Sequence, residues 1–266
     1  MADIEDAPFE ARVLAEHFTK IPAARLIACR NEELPNADEL SQAVERRTSR
    51  EPLQYIIGEW DFMGLSFKVT SDCLIPRADT ELLCETAIEL LPHGGAVLDL
   101  CTGSGCIAAA IAHYRSDAKV TALELSPSAA DVARENFRRL GLDGVRLVVA
   151  DALSDTDAEK YFEEESFDII VSNPPYITSE EMLLLEAELF SEPECALTDG
   201  GDGLSFYRRM TEIYPQYLKR GGVIAFEHGS LQGPAVRDII SSAGYLPTTR
   251  LDLEGRDRVT LFKKQQ

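Results

Sequence analysis

Residues 96–106 read Ala-Val-Leu-Asp-Leu-Cys-Thr-Gly-Ser-Gly-Cys, and this stretch decides the fold class. Its first five residues have the apolar composition of a short buried strand. The glycines at positions 103 and 105 then permit a tight turn that lets a ligand approach the backbone closely. The apolar run 107–113 predicts a helix. A strand, a glycine-rich loop and a helix in this order are typical of open α/β sheets that bind ligands at their carboxyl ends.

The chain continues after this loop as strands that alternate with helices. The sequence predicts helices at 204–219 and 231–243, and further strands at 120–123, 147–150, 167–172, 222–227 and 258–262. Such alternation predicts a parallel sheet with helices on both faces. Glu124, Asp151 and Asn173 each stand at or directly after the end of a strand. Because ligands bind outside the carboxyl ends of parallel strands, we expect these side chains and the glycine loop to share one crevice.

The tetrapeptide Asn173-Pro174-Pro175-Tyr176 follows the predicted strand 167–172. Two successive prolines fix φ and remove two backbone donors, so the carbonyl groups here are rigidly placed and free to accept. Asn173 adds an amide acceptor, and Tyr176 adds a flat face with a polar tip. A tight turn is the alternative for an Asn-Pro pair alone. The four residues together, at the end of a strand, favour a site for a planar group that carries an NH2.

The polar residues at the strand ends suit a nucleoside. A carboxylate at Glu124 can accept hydrogen bonds from both hydroxyls of a ribose, and Asp151 is placed for an adenine amino group. The start of the helix after Gly105 favours a carboxylate. The loop also satisfies the pattern GxGxxA through Ala108, so a nicotinamide-dependent dehydrogenase is a rival. Asp99 before the loop, together with the tetrapeptide, favours S-adenosylmethionine.

Composition limits the partner and the compartment. The chain has 26 Lys and Arg against 46 Asp and Glu, a formal net charge of −20. This charge repels a phosphate backbone and suits a basic protein partner better, although acidity for solubility explains it equally well. No apolar run approaches the roughly 18 residues of a membrane span. The six cysteines form no CxxC pair and the four histidines are scattered, so we expect a cytoplasmic protein with reduced thiols and no metal site.

The first part of the chain lacks the alternation of strands and helices. Residues 1–52 predict a small helical domain that carries no chemistry and serves to dock a partner. Its helices are expected at 9–19, from Pro22 to Cys29, and after Asn36, which is a good N-cap.

A linker and a second domain follow. Residues 53–76, with the single tryptophan Trp60, predict a β-hairpin that bridges two domains. Residues 77–266 form the second domain, and Asp79 or Thr80 is expected to cap its first helix.

Four motifs occur in order along the second domain: VLDLCTGSGCIA at 97–108, ALELS at 122–126, VVADAL at 148–153 and IIVSNPPYI at 169–177. They resemble the successive motifs of class I S-adenosylmethionine-dependent methyltransferases. NPPY resembles the signature of enzymes that methylate nitrogen attached to a planar carbon, in DNA adenine, rRNA guanine or protein glutamine. The flanking segments EPLQYIIGE at 51–59, LIPRADTE at 74–81 and EPECAL at 192–197 are very similar to the release factor glutamine methyltransferases.

The resemblance implies a Rossmann-like α/β fold, with a mainly parallel sheet, a small N-terminal helical domain and a β-hairpin linker. It implies transfer of a methyl group from S-adenosylmethionine to the N5 nitrogen of the glutamine in the Gly-Gly-Gln motif of class 1 peptide chain release factors, leaving S-adenosylhomocysteine. The implied cofactor-binding residues are Asp99, Cys101, Thr102, Gly103, Ser104, Gly105, Glu124, Asp151, Ala152 and Asn173. Cys101 departs from the family pattern by replacing the first glycine of the loop, and Ala152 stands where a bulkier residue is common.

The implied catalytic residues are Asn173, Pro174, Pro175 and Tyr176. The side-chain oxygen of Asn173 and the carbonyl of Pro174 are expected to accept the two N–H groups of the substrate amide. Tyr176 is expected to wall the amide plane, and Pro175 to hold the shape of the loop. Arg77 is expected either to neutralise the cofactor carboxylate or to pair with an acid across the domain boundary. His228 is expected to be packed or hydrogen-bonded rather than an acid–base group.

Alternative functions share the tetrapeptide. A glutamine methyltransferase acting on a ribosomal protein would have the same fold and cofactor. A DNA or RNA amino-methyltransferase would need a basic face or a target-recognition segment, and the sequence contains neither. A non-catalytic scaffold would have a damaged loop or tetrapeptide, and both are intact. A monomer is sufficient for every feature of the sequence.

Overall fold

The structure, a computed structural model, describes residue 4 and residues 6–26 and 33–265 of the chain. Its N-terminal part contains the helices α1 Ala7–Thr19, α2 Ala23–Leu26, α3 Ala37–Thr48 and α4 Leu53–Ile57. The predicted continuation of the second helix to Cys29 lies outside the described residues. Asn36 precedes α3, but its side-chain amide donates 2.9 Å to the carbonyl of Phe18 rather than capping the helix. The prediction of a side-chain cap is therefore wrong, and Asn36 instead links α3 to the end of α1.

A two-stranded hairpin follows these helices. Strands β1 Glu59–Phe62 and β2 Leu65–Lys68 pair in antiparallel register, with Trp60 opposite Phe67. Trp60 packs against the small apolar cluster of the helical domain, whereas Phe67 is fully buried in the core of the large sheet. The hairpin therefore contributes Trp60 to the helical cluster and Phe62 and Phe67 to the core of the large sheet.

The rest of the chain alternates between strands and helices. The strands are β3 Ala96–Leu100, β4 Lys119–Glu124, β5 Arg146–Val149, β6 Phe167–Ser172, β7 Leu218–Glu227, β8 Pro247–Leu251 and β9 Asp257–Lys263. The helices are α5 Glu81–Leu90, α6 Cys106–Tyr114, α7 Pro127–Arg139, α8 Asp155–Tyr161, α9 Ser179–Met182, α10 Glu194–Leu197, α11 Ser205–Ile213 and α12 Gly233–Ser242. Short 3-10 turns occupy Ala78–Thr80, Ala187–Ser191 and Tyr214–Tyr217.

The large sheet has seven strands in the order β5-β4-β3-β6-β7-β9-β8. The five strands from β5 to β7 are parallel, and β9 pairs antiparallel with both β7 and β8. The prediction of a mainly parallel Rossmann-like sheet is confirmed. Strand β8 was not predicted, since it lies at an edge of the sheet and its residues are only partly buried, without an apolar alternation.

Both faces of the sheet are covered by helices. Apolar residues of α5, α6, α7 and the hairpin pack on one face, and apolar residues of α8, α11 and α12 pack on the other. The predicted helix 204–219 ends early, because the 3-10 turn after Ile213 contains Pro215 and leads directly into β7. Two buried layers of side chains therefore hold the strand ends at fixed positions, and the candidate site depends on those positions.

A buried amide ties the hairpin to the glycine loop. The Oδ1 of Asn136, on α7, accepts 2.7 Å from the backbone N–H of Lys68. Its Nδ2 donates 3.0 Å to the carbonyl of Lys68 and 2.9 Å to the carbonyl of Ser104. The side chain is fully buried, and these bonds use both of its polar atoms, as a buried amide requires. Asn136 thus holds β2, α7 and the loop after β3 together.

Candidate functional site

A cavity of about 200 Å³ opens where β3, β4, β5 and β6 end. The structure brings together in its wall several of the residues that the sequence analysis singled out, namely Cys101, Gly103, Glu124, Asp151, Ala152, Asn173 and Pro175. We call it the first cavity. The strand-end residues therefore share one crevice, as the topology of a parallel sheet requires.

Four other residues of the proposed cofactor set lie behind this wall. They are buried and do not line the cavity: Asp99 on β3, and Thr102, Ser104 and Gly105 in the loop. The Oδ2 of Asp99 accepts hydrogen bonds from the hydroxyl of Thr102 and, at 3.1 Å, from the N–H of Ala108. Its Oδ1 is buried without a hydrogen-bond partner. Burial raises the pKa of Asp99 to about 7, although the two hydrogen bonds lower it. Asp99 braces the loop from behind.

The loop itself contains three residues with positive φ. These are Cys101 at 59°, Gly103 at 55° and Gly105 at 80°. A Cβ at position 105 would lie 2.7 Å from the ring of Phe137, so the chain needs glycine there. A Cβ at position 103 would meet no atom within 4 Å, which leaves space for a ligand against the backbone. Cys101 adopts the left-handed conformation without being glycine, at a cost of about 1 kcal/mol.

Two of the three acidic residues that line the first cavity, Glu124 and Asp151, are held by backbone groups. Glu124 accepts 2.8 Å from the N–H of Gly103 and 2.9 Å from the N–H of Ser126, with one bond to each carboxylate oxygen. The Oδ1 of Asp151 accepts 2.8 Å from the N–H of Leu153. A carboxylate offers about four acceptor positions, so Glu124 and Asp151 both keep acceptor capacity for a ligand.

A second cavity of about 130 Å³ adjoins the first. Both cavities are lined by Asn173, Leu74 and Ala196. The remaining lining of the second cavity includes Pro174 and Tyr176 from the tetrapeptide. Asn173 therefore stands at the junction, with the glycine loop on one side and its own tetrapeptide on the other.

The side chain of Asn173 is oriented by Thr80. Its Nδ2 donates 3.1 Å to the hydroxyl oxygen of Thr80, which precedes α5. Thr80 makes no hydrogen bond that caps α5, so the expectation of a capping role for its side chain is wrong. The sequence predicted Asp79 or Thr80 as the cap, and it carried no sign that the Thr80 hydroxyl accepts from Asn173, 93 positions further along the chain.

The main chain of Tyr176 is fixed by its neighbours. Its carbonyl accepts 2.8 Å from the side-chain amide of Gln232, and a Cβ at Gly203 would overlap that carbonyl. The next N–H, of Ile177, donates 2.8 Å to the carbonyl of Leu197. Burial raises the pKa of the Tyr176 phenol to about 12, so the ring is a neutral wall at neutral pH.

An ion pair closes the outer side of the second cavity. Arg77 pairs with Glu192, whose other carboxylate oxygen accepts 3.0 Å from the N–H of Ile75. The Glu192 side chain is almost fully buried, whereas that of Arg77 is partly exposed. Of the two expected partners of Arg77, an acid is the one found, although Glu192 lies within the same part of the chain rather than across a domain boundary.

The sequence analysis did not single out two apolar residues of the first cavity. Leu125 and Phe206 add apolar surface to the first cavity. Leu125 is 57% exposed and directly follows Glu124, the acid that ends β4. Its place beside that acid could have identified it from the sequence. Phe206 is the second residue of α11, far along the chain, and no local pattern pointed to it. His228 is fully buried, with its ring nitrogens 2.9 Å from the carbonyl of Gly229 and the hydroxyl of Thr260, as expected of a hydrogen-bonded residue.

Within the described ranges, no three or more His, Cys, Asp and Glu side chains are grouped so as to hold a metal ion. Across those same residues, every helix is too short or too polar to cross a bilayer.

Comparison with known proteins places these features in context. The Methyltransferase small domain model matches residues 78–221, and the PrmC N-terminal domain model matches residues 1–58. The release factor glutamine methyltransferase of Neisseria gonorrhoeae is 41% identical over 96% of this chain and 92% of its own length. The protein of the same name from Moorella thermoacetica is 39% identical, covering 99% of this chain and 93% of that one.

A solved structure has the same fold. The crystal structure of a methyltransferase from Pyrococcus furiosus aligns with a TM-score of 0.57 at 21% identity, covering 76% of this chain and 90% of that chain. At this level of identity the likeness extends to the arrangement of the strands and helices alone.

Proposed function

This chain belongs to the release factor glutamine methyltransferase family, and we propose that it methylates the glutamine of the Gly-Gly-Gln motif in class 1 peptide chain release factors, at the side-chain nitrogen N5. The observation that carries the proposal is the pair of cavities that meet at Asn173. The first has the acidic strand ends that suit a nucleoside. The second is smaller and ends in the tetrapeptide, which suits one amide-bearing side chain.

The residues of the first cavity fit S-adenosylmethionine. Glu124 keeps acceptor capacity for the ribose hydroxyls, Asp151 for an adenine amino group, and the open backbone at Gly103 admits a close contact. Leu125 and Phe206 supply apolar surface for a flat base. When bound, S-adenosylmethionine supplies a methyl group carried on a positively charged sulfonium. The proposed contacts to it come from Cys101, Gly103, Glu124, Asp151, Ala152 and Asn173, with Asp99, Thr102, Ser104 and Gly105 shaping the loop.

The tetrapeptide provides acceptors for the substrate. An amide nitrogen is a poor nucleophile, because its lone pair is delocalised into the carbonyl group. A site that accepts hydrogen bonds from both N–H groups holds this nitrogen in position and favours positive charge on it. We assign these two roles to the Oδ1 of Asn173 and the carbonyl of Pro174. Tyr176 forms the wall and Pro175 stiffens the loop, and the high pKa of Tyr176 makes its phenol unsuitable as a base.

A groove leads from the helical domain to the second cavity. It has a volume of about 750 Å³ and shares Arg77 and Leu189 with the second cavity. Arg47 spans the two parts of the protein within this groove, pairing with Glu10 of α1 and, at 3.0 Å, with Glu188. This continuity supports a docking role for residues 1–52.

All elements of the site come from one chain, so we propose a monomer that acts in the cytoplasm, where release factors meet ribosomes.

Mass spectrometry of a class 1 release factor incubated with this protein and S-adenosylmethionine tests the proposal. We expect a gain of one methyl group that maps to the glutamine of the Gly-Gly-Gln motif, and no gain on a release factor with that glutamine replaced. Methylation of a ribosomal protein or of nucleic acid, and not of the release factor, would show that one of the alternative functions is the correct one. Cofactor binding without any methylation would indicate a scaffold.

A further inference from the structure

Two buried polar side chains lie behind Asn173. Thr80 is 2% exposed and Glu227 is 1% exposed. Glu227 ends β7, and Asn173 follows β6, which runs parallel to β7 with Ser172 opposite Phe226. The register therefore makes Asn173 and Glu227 neighbours at the carboxyl ends of these two strands, with Thr80 beside both.

The hydrogen bonds of these side chains run in one direction. The Nδ2 of Asn173 donates 3.1 Å to the hydroxyl oxygen of Thr80. The hydroxyl of Thr80 also faces the carboxyl group of Glu227 and lowers the pKa of that carboxyl. A hydroxyl has a single proton to donate. Since the Thr80 oxygen already accepts from Asn173, its proton goes to Glu227.

The burial of Glu227 has no explanation in packing. Its Oε2 is buried without a hydrogen-bond partner, and such an atom costs stability that an apolar side chain of similar size would not cost. Arg258, Arg77 and Asp79 are the charged groups that act on it, and Arg258 also pairs with Asp79 at 3.0 Å. A buried acid that weakens the fold and ends beside the reacting group is typical of a functional position.

We propose that Thr80 and Glu227 are positioning residues that fix the Asn173 amide with its oxygen toward the substrate. The inference rests on the proposed function, which requires that oxygen as an acceptor. Above about pH 7, where Glu227 is ionised, its carboxylate can only accept, and it then sets the direction of the whole chain of hydrogen bonds. Without it the Asn173 amide can turn over and present its NH2 to the NH2 of the glutamine. Two donors then face each other, and the substrate amide is no longer held.

Replacing Thr80 with Val or Ser gives a matched test. Val has nearly the shape of Thr but lacks the hydroxyl, whereas Ser keeps the hydroxyl and lacks the methyl group. We expect Thr80→Val to lower kcat by about 100-fold, because the Asn173 amide is no longer oriented and the substrate amide is no longer held in position. We expect Thr80→Ser to retain most of kcat, and both variants to bind S-adenosylhomocysteine as the unchanged protein does. Equal loss in both variants, or no loss in Thr80→Val, would overturn the inference.

A second variant covers the case in which Thr80→Val does not fold. Glu227→Gln can offer Thr80 either an oxygen or an NH2, so the direction of the hydrogen bonds is no longer imposed. We expect a kcat between those of the unchanged protein and Thr80→Val, with an unaltered KM for S-adenosylmethionine. Full activity in Glu227→Gln would contradict a role for the carboxylate.

A spectroscopic measurement separates this inference from the proposed function. In protein labelled with ¹⁵N-asparagine, the side-chain signal of Asn173 is assigned by its loss in Asn173→Ala. We expect its NH2 protons to exchange slowly with water in the unchanged protein and in Thr80→Ser, and rapidly in Thr80→Val. Slow exchange in all three would refute the orientation by Thr80, even if no release factor is methylated. An unchanged protein without activity but with this exchange pattern would count against the proposed function alone.

Discussion

The two cavities that meet at Asn173 are built in different ways. The first is lined mainly by the ends of adjacent parallel strands, with residues from 72–74, 193–196 and Phe206 completing its wall. Two of its acids are held by backbone N–H groups, as when Gly103 and Ser126 hold Glu124. The second is assembled from three segments far apart in the chain, around residues 74–77, 173–177 and 189–197. There, side chains hold one another, as Asn173 and Thr80 do.

This difference predicts separable effects of substitution. A backbone N–H survives any single change of side chain, so a substitution in the first cavity removes a ligand contact and leaves the cavity's frame in place. A side-chain pair in the second cavity is lost with either partner, so substitutions there disturb the orientation of the substrate. We therefore expect the first class to change cofactor affinity and the second to change turnover or substrate affinity.

The largest effect is expected at the junction. Asn173→Ala removes an acceptor aimed at the reacting nitrogen, and we expect kcat to fall by about 100- to 1000-fold. Because Asn173 lines both cavities, the affinity for S-adenosylhomocysteine should also weaken, but by much less. Methyl-transfer assays and calorimetry measure the two quantities. Asn36→Ala, on the helical domain, is the control, and near-normal turnover in Asn173→Ala would remove the catalytic role.

Glu124 tests the first cavity by itself. Glu124→Ala removes the proposed ribose acceptor, and losing hydrogen bonds to a charged group weakens binding by about 10- to 100-fold. We expect this loss in the Kd for S-adenosylhomocysteine, measured by calorimetry, with kcat at saturating cofactor nearly unchanged. Glu135→Ala removes the same charge from the surface of α7 and should leave the Kd as it is. A fall in kcat without a change in Kd would reverse the assignment of this cavity.

The pH dependence of stability tests the support behind the second cavity. Burial raises the pKa of Glu227 from 4.5 to about 7. Between these values the folded chain keeps a proton that the unfolded chain has released. The contribution of this carboxyl to the free energy of unfolding is therefore complete below about pH 4.5 and is lost as the pH rises to about 7.

Chemical denaturation of the unchanged protein and of Glu227→Gln measures that contribution as a difference. We expect the unchanged protein to lose stability relative to Glu227→Gln from about pH 5 to about pH 7.5, with no further loss above that range. His228, whose pKa burial lowers, and Asp99, whose pKa burial raises, titrate in both proteins and cancel in the difference. A difference that is constant over this range would show that Glu227 titrates as it does in the unfolded chain.

The smallest effect is expected at the outer wall. Arg77→Ala breaks the pair with Glu192. The Arg77 side chain is partly exposed, and the buried Glu192 keeps its hydrogen bond from the N–H of Ile75, so we expect a loss of only about 1 kcal/mol in release-factor binding, which corresponds to roughly a fivefold change in affinity. We expect the KM for the release factor to rise by this factor while the Kd for S-adenosylhomocysteine stays constant. Arg208→Ala, which breaks an exposed pair with Asp202, is the matched control, and an equal KM in both variants would contradict the role of Arg77.

The sequence predicted those elements of the fold that are determined by a short contiguous segment of the chain. Strands β3 and β6 match their predicted bounds, because each is a buried apolar run closed by a glycine loop or by prolines. Strand β8 escaped prediction, since an edge strand with partly exposed residues has no clear alternation. The start of β7 was placed four residues late because Lys219, Arg220 and Gly221, which are not buried, separate Leu218 from the rest of its buried run.

The same division holds within the candidate site. Residues at or shortly after the end of a strand, such as Glu124 and Asp151, share a cavity because these strands are parallel, and the sequence alone indicated this. Thr80, Glu192 and Glu227 belong to the second cavity or its support through contacts between distant segments. Their residue types and spacing carry no sign of those contacts, which arise only when the segments pack together.

The strand order has a consequence for biosynthesis. Strand β9 lies between β7 and β8 and places Val259 opposite Glu227, yet the ribosome makes it after every other strand of the sheet. Until residues 257–263 have emerged, β7 is an unpaired edge, and Glu227 is open to water on that side. A nascent chain can therefore form its glycine loop early, while the support behind Asn173 closes only in the final stage of folding.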